Sequence, residues 1–344
     1  KFKTLKWDGV KPKTRIQEIA RKTRYKLMTS WCKKKGIEKL FLAHHLDDQV
    51  ETFLMRLGKG SGVDGLAVMD FVTETSSLKL VRPFLEIPKT RFIEILGITN
   101  LEWISDPSNF NSDYKRSRIR KILPILSKEG INSKQIGLVI KRMRSVKDAL
   151  NAQTDILLKK YLSNVHNVAY FLNKELLKDE KDKEILLRVL EKIFMNISGS
   201  IYPPRRNKLE NILSWILENN NVKAKTLTGV VVRKRKSEFI FYREPEDCYK
   251  SVNIRPLTSR YRCWDDRFFL RANKSNSLQI RALGDVGITI LKEKKILKRQ
   301  VFQNVPLSAW KTVPGVWSKK RLISVPTLGY CRQKDLKIYI KTNK

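Results

Sequence analysis

The run IEKLFLAHHLDDQVETFLMRLGKG, residues 37–60, limits the fold more than any other part of this sequence. Its first seven residues read as a buried strand, and DDQVETFLMRLGKG reads as a helix ended by glycines. Strand, loop and helix in that order is an α/β signature, with any chemistry at the carboxyl end of the strand. Upstream, KPKTRIQEIARKTRYKLMTSWCKKKG reads as a helix opened by Thr14 or Pro12 and stopped by Gly36. Ile16, Ile19, Ala20 and Leu27 share one stripe of it. The loop between strand and second helix carries His44 and His45, two of the chain's three histidines, with Asp47, Asp48 and Glu51 close behind.

Beyond this segment the periodicity changes twice. From about residue 130 to 220 it is helical, as in ALNAQTDILLKKYL and EILLRVLEKIFMNI, broken by SGSIYPPRR. From about 225 short alternating stretches take over, such as TGVVVRKRKSEFIFYRE, LQIRAL and LKIYIK, which predict a small, mostly β carboxyl-terminal part. The length of 344 residues suits about two or three domains. The expected division is 1–127, an α/β part; 128–248, mainly helical; and 249–344, basic and β-rich.

Charge narrows the function. Lysine and arginine number 71 against 34 aspartate and glutamate, a formal net charge of +37. Such an excess points to a polyanionic partner, most often nucleic acid, ahead of a lysine bias scattered without a target. Between residues 250 and 344 there are 22 basic residues against 5 acidic, with Tyr261, Trp264, Trp310 and Trp317 among them. No apolar run approaches the ~18 residues a spanning helix needs, and residues 1–30 carry no secretory pattern. Cys32, Cys248, Cys263 and Cys331 form no CxxC and suit reduced thiols, hence cytoplasm or an organelle matrix, with no membrane partner. A chain opening at Lys1 reads as a fragment or a processed form.

The histidine–aspartate loop supports three readings. Asp48 three residues before Glu51 is capping spacing, with both acids off the stripe formed by Val50, Phe53, Leu54 and Leu57. The same two carboxylates, one turn apart on a rigid helix, would also make a pocket for a cationic substrate. A divalent metal is the third reading, since His44, His45, Asp47 and Asp48 are all plausible ligands, although oxygen-rich contacts fit Mg²⁺ travelling with a nucleotide better than a transition metal.

AHHLDDQVETFLMRLGKGSGVDGLAVM, residues 43–69, resembles the signature of the tRNA(Ile)-lysidine synthetases, members of the PP-loop (N-type ATP pyrophosphatase) superfamily. LKWDGVKPKTRIQEIARKTRYKLM before it is similar to the family, as are RPFLEIPKTRFIEIL and WISDPSNFNSDYKRSRIRKILPIL after it. TLTGVVVRKRKSEFIFYREP and IRALGDVGITILKEKK, with RQVFQNVPLSAWKTVPGVW, extend the resemblance over most of the chain. It implies a partial Rossmann-like PP-loop domain followed by a helical, tRNA-contacting domain and a small β-rich one. It also implies a reaction: ATP, with Mg²⁺, activates C2 of the wobble cytidine in a tRNA(Ile) with a CAU anticodon, and free L-lysine then displaces AMP. The product, lysidine, changes codon reading from AUG to AUA.

By the same resemblance Asp48 and Glu51 would bind lysine, His44, His45 and Arg21 would lie at ATP, and His44, Asp48, Arg116 and Arg120 would be catalytic. Two features depart from the family. Ser117 stands where asparagine is usual, and the SGGxDS loop that cradles pyrophosphate does not occur in this sequence. Without that loop ATP binding is expected to be poor unless a separate polypeptide supplies it. The DPSN segment, residues 106–109, reads by itself as a turn. Other readings kept open are a tRNA-binding remnant without catalysis, a tRNA 2-thiolation enzyme of the same superfamily, and a metal phosphohydrolase.

Overall fold

The computed structural model describes residues 2–8, 14, 16–75, 78–99, 101–102, 115–200, 202–218, 222–251, 254–273, 278–296, 304–333 and 335–342. Pro12 and the DPSN turn lie outside the described residues. The fold is mixed α/β, as expected, and divides into two compact units, Lys1–Ala149 and Leu150–Lys344.

The first unit opens with α1 (Ile16–Lys35), closed by Gly36 at φ +69°, a left-handed position that favours glycine. Three short strands follow, with helices between them: β1 (Lys39–Phe41), β2 (Val72–Glu74) and β3 (Lys79–Val81). β1 runs parallel to β3 with Leu40 opposite Leu80, and β2 is antiparallel on the other side of β3. Leu78 and Leu80 pack with Cys32 of α1 into a small core edged by Trp31, Leu40 and Leu42. The expected seven-residue strand is thus three residues long, and Phe41 at its end is exposed.

After β1 come α2 (Leu46–Leu57) and a single turn α3 (Val63–Leu66). After β3 come α4 (Lys89–Ile98), α5 (Lys115–Lys128) and α6 (Ser133–Tyr161), whose last turns belong to the second unit. Val50 and Phe53 of α2 pack against Ile136 and Ile140 of α6, each buried side chain contributing roughly 1.5–3 kcal/mol of hydrophobic stabilisation. The expected stripe holds at Val50 and Phe53 but not at Leu57, which is exposed.

The second unit is built on a five-stranded antiparallel sheet ordered β4-β5-β8-β7-β6, with β4 (Leu162–Val165), β5 (Ala169–Asn173), β6 (Ala224–Leu227), β7 (Val230–Lys234) and β8 (Glu238–Arg243). α7 (Leu176–Asp179), α8 (Lys183–Ser198) and α9 (Arg206–Leu217) connect β5 to β6. Ile193, Phe194 and Trp215 of α8 and α9 share one core with Val232 and Phe241 of the sheet. Asp182 caps α8 by accepting from the N–H groups of Glu184 and Ile185.

The β4–β5 hairpin corrects the reading of this stretch as helical. His166 and Asn167 hold φ of 51° and 54°, and the Val168 N–H donates to the Val165 carbonyl, a mirror-type tight turn that favours Asn, Asp or Gly. Histidine at its first central position hid the signal.

α10 (Pro245–Ser251) leads into the last strands: β9 (Arg255–Pro256), β10 (Arg262–Trp264), β11 (Phe268–Ala272), β12 (Leu278–Ala282), β13 (Pro314–Ser318), β14 (Arg321–Val325), β15 (Tyr330–Cys331) and β16 (Ile338–Thr342). They form one sheet ordered β15-β14-β13-β12-β9 and another ordered β10-β11-β16, with α11 (Gly284–Glu293) and α12 (Leu307–Trp310) between β12 and β13. Trp264, Trp310 and Trp317, which the sequence set among basic residues, are core side chains at most 1% exposed. No helix among the described residues is long and apolar enough to cross a membrane.

Candidate active site

The chain leaves β1 through Leu42, whose N–H still donates to the Val81 carbonyl, and reaches His44 and His45 at the head of α2. His45 is the N-cap residue, with extended φ and ψ of −122° and 179°. Its N–H donates to Asp48 Oδ2 at 3.1 Å, so Asp48 closes the helix end from the third helical position. The capping spacing anticipated for Asp48 and Glu51 is therefore met one step earlier, by His45 and Asp48.

Glu51 does something different. It faces inward, only 2% exposed, instead of lying on an open face as the helical spacing suggested. A carboxylate buried this deeply needs a partner, and Arg120 of α5 supplies one: its Nε donates to Oε1 at 2.5 Å and its Nη2 to Oε2 at 3.4 Å. Arg116, one turn earlier on α5, places Nε 3.9 Å from Oε2 and donates from Nη2 to Thr52 Oγ1 at 3.3 Å. The bond to Glu51 raises the Arg120 guanidinium further above its ordinary value.

Asp47, assigned no part beyond a metal option, ties three helix starts together. Its Oδ2 accepts from the Lys89 N–H at 2.7 Å, serving as a cap for α4, and its Oδ1 accepts from Ser133 Oγ at the head of α6. Its carboxylate also lies 3.6 Å from His45 Nδ1, while His45 Nε2 is 3.4 Å from Asp48. A cavity of about 580 Å³ opens beside these groups, lined by His45, Asp47, Glu51, Lys89, Ser117 and Arg120. That is the size of a small-molecule site.

His44 stands apart from the cavity lining. Burial lowers its pKa below the ordinary value; Asp48 opposes this, while Arg82, Arg21 and Arg116 add to it. Its Nδ1 is buried without a hydrogen-bond partner among the described residues. Arg21, exposed on α1, lies with its guanidinium 5.3 Å from the Tyr25 ring. Arg82 was missed at the sequence level although its RPFLEIPK segment was noticed. It follows β3 directly, is 6% exposed, and donates to the Asp70 carbonyl and Thr73 Oγ1.

Distances at the head of α2 separate the three readings of the loop. Among the described residues no group of three or more His, Cys, Asp or Glu is placed to hold a metal. Asp47 and Asp48 are engaged at helix starts and Glu51 by Arg120, so the protein's own acids do not assemble an ion site. The residues instead gather a buried acid, a second acid one turn away, and a cluster of arginines around a neutral-leaning histidine.

Residues 1–126 match the model of a PP-loop domain. The chain is 30% identical over 332 residues to the tRNA(Ile)-lysidine synthase of Wolbachia pipientis wMel, covering 95% of this chain and 74% of that protein. It is 31% identical over 326 residues to the one from Ruegeria pomeroyi, with the same 95% and 74%. For the Wolbachia of Brugia malayi the identity is 34% over 264 residues, 77% of this chain and 61% of its relative. The chain thus spans between three fifths and three quarters of the length of these relatives. Among solved structures, the U34-tRNA thiolase NcsA from Methanococcus maripaludis aligns at 19% identity and a TM-score of 0.31, covering 37% of this chain and 43% of that one, too slight a likeness to bear on the fold. With similarity running over nearly its whole length to two such synthases, the chain belongs to the tRNA(Ile)-lysidine synthase family.

Proposed function

We propose that the protein joins lysine to C2 of the wobble cytidine of tRNA(Ile) with a CAU anticodon, at the expense of ATP. The observation that carries this reading is the Glu51 carboxylate, buried yet on the wall of a 580 Å³ cavity, with Asp48 one turn away on the same helix. Lysine brings two amines to its site, and in a partly desolvated pocket paired carboxylates attract them far more strongly than in water. Arg120 already satisfies Glu51, so a lysine ammonium would share that carboxylate with it or displace it, which frees a guanidinium for phosphate.

In the first step the cytidine C2 oxygen attacks the α-phosphorus of ATP, and pyrophosphate leaves with the electrons of the broken P–O bond. In the second, the ε-ammonium first gives a proton to an acceptor, a role we assign to Asp48; the neutral amine attacks C2, AMP departs with the oxygen and the electrons of the C–O bond, and the proton left on nitrogen passes to solvent. His44, Arg116 and Arg120 would meet charge that develops on the phosphates, with His45 and Arg21 contributing to ATP binding. Mg²⁺ would enter with the nucleotide, held by its phosphate oxygens. Residues 1–127 would carry this chemistry, and residues 128–248 and 249–344 would hold the tRNA.

The test is mass spectrometry of the wobble nucleoside after incubating tRNA(Ile) with ATP, lysine and the protein, alone and with a polypeptide carrying an SGGxDS segment. Conversion to lysidine is expected in at least one of the two reactions. An unmodified cytidine in both reactions would overturn the proposal. Retention of tRNA without conversion would favour a binding remnant.

A further inference from the structure

The sheet β10-β11-β16 has two faces of different character. Its register sets Trp264 opposite Phe268, Leu270 opposite Ile340 and Ala272 opposite Ile338, and these side chains join Leu257, Ile280 and Val316 in a core. Alternation turns the residues between them to the other face, where Arg271 stands opposite Tyr339 and Phe269 opposite both Lys341 and Cys263. The Arg271 guanidinium lies 4.6 Å from the Tyr339 ring centre and 5.0 Å from that of Tyr261. Lys341 Nζ lies 4.8 Å from the same Tyr261 ring. Tyr339 is 43% exposed and Lys341 is exposed as well.

The core does not require this second row. Two tyrosines held apart by a guanidinium, with a lysine beside them, put flat π faces and positive charge on one pleated surface. Tyr261 and Arg271 are half-buried at this surface, and at exposed sites cation–π contacts contribute only ~0.5–1 kcal/mol, a small return to the fold itself from that pairing. An unpaired nucleotide strand uses all of it: every base offers a face to stack, and every linkage a phosphate for a cation. A duplex uses the charge alone, because its bases are already stacked on one another.

We propose that the outer face of the β10-β11-β16 sheet is a stacking platform for unpaired nucleotides of RNA. Tyr339 and Tyr261 take the bases, and Arg271 and Lys341 take the phosphates. The choice of RNA over DNA rests on the proposed activity; the stacking geometry does not.

The test uses the full chain without ATP or lysine, so its outcome is independent of catalysis. A single-stranded oligoribonucleotide containing 2-aminopurine should bind with quenched fluorescence. Tyr339→Ala and Tyr261→Ala should each weaken that binding about tenfold, the lower end of base–aromatic stacking. Tyr339→Phe should bind like the parent, and Tyr339→Leu, which keeps bulk in the strand without a π face, should lose as much as the alanine variant. Binding of a blunt RNA duplex and of phosphatidylserine vesicles should be indifferent to all four. Unchanged affinity of Tyr339→Ala and Tyr339→Leu for the single strand overturns the proposal, and so does an equal loss on duplex or vesicles. Failure of lysidine formation with these results intact would refute the ligase reading and leave the platform standing.

Discussion

At the scale of single residues, two side chains near the head of α2 have measurable consequences. Burial and the charges of Arg82, Arg21 and Arg116 place the folded pKa of His44 below its ordinary 6.5. Between the two values the unfolded chain binds a proton that the folded chain does not, so stability is full above 6.5 and falls as the pH drops through that window. Titration of the His44 imidazole by NMR should give a midpoint under 6.5, lowered further by Asp48→Asn and raised by Arg116→Ala. The second is Arg120. Removing it leaves Glu51 buried without its main partner, an injury of about 3–5 kcal/mol for a fully enclosed pair. Arg120 is 39% exposed, so solvent reduces the loss to about 1–3 kcal/mol, read as a shift in urea unfolding of Arg120→Ala. Adding Glu51→Gln to that variant should recover part of it. The sequence announced Glu51 and Asp48 by their spacing, but not which was buried. That depended on an arginine 69 residues away, and helical periodicity describes only its own helix.

At the scale of elements, the legible parts were those whose pattern is local and repeated. α8 buries Ile185, Leu186, Val189, Leu190, Ile193 and Ile197 along one face, and the sequence shows that period without help from the rest of the molecule. The strands of the first unit are three residues each, too short for alternation to emerge, and the β4–β5 hairpin interrupts a long helical stretch. What joins the elements was least legible. Asp265, at φ +47° between β10 and β11, is paired with Arg243 of β8 at 3.2 Å and with Arg267 of the same turn at 2.7 Å. All three side chains are at most 4% exposed, and Arg267 also donates to the Thr312 carbonyl. Nothing near Asp265 in sequence foretells Arg243. Asp265→Ala takes a shared carboxylate from two buried guanidinium groups, leaving Arg243 with Asp247 and the Gly229 carbonyl and Arg267 with Thr312, so it should cost about 3–5 kcal/mol in denaturant unfolding, or leave the carboxyl-terminal sheets unfolded. Lys311→Ala, which removes the pairing with the exposed Asp285, should cost under about 1 kcal/mol in the same measurement.

At the scale of the whole molecule the question is what a net charge of +37 is for. Charge of one sign opposes compaction, and a chain that carries it gains from a polyanion that neutralises it. Each phosphate contacted releases condensed counterions, so the logarithm of the binding constant should fall linearly with the logarithm of salt, by about 0.9 per contact on a duplex. With about six or more contacts, affinity for tRNA should drop on the order of a thousandfold between about 50 and 200 mM salt. That slope alone does not separate a tRNA enzyme from a lysine-rich protein, because heparin would show it too. The separation lies in what survives at the higher salt. A site that recognises its tRNA through shape and bases keeps a preference for tRNA(Ile) with a CAU anticodon over other tRNAs after the ionic part has been screened. Filter binding across that salt range, with tRNA(Ile), a tRNA of another anticodon and heparin, should give steep slopes for all three and a constant offset between the tRNAs in favour of tRNA(Ile). Three coincident lines would mean that the charge reflects composition, and the function would then have to rest on the cavity beside Glu51.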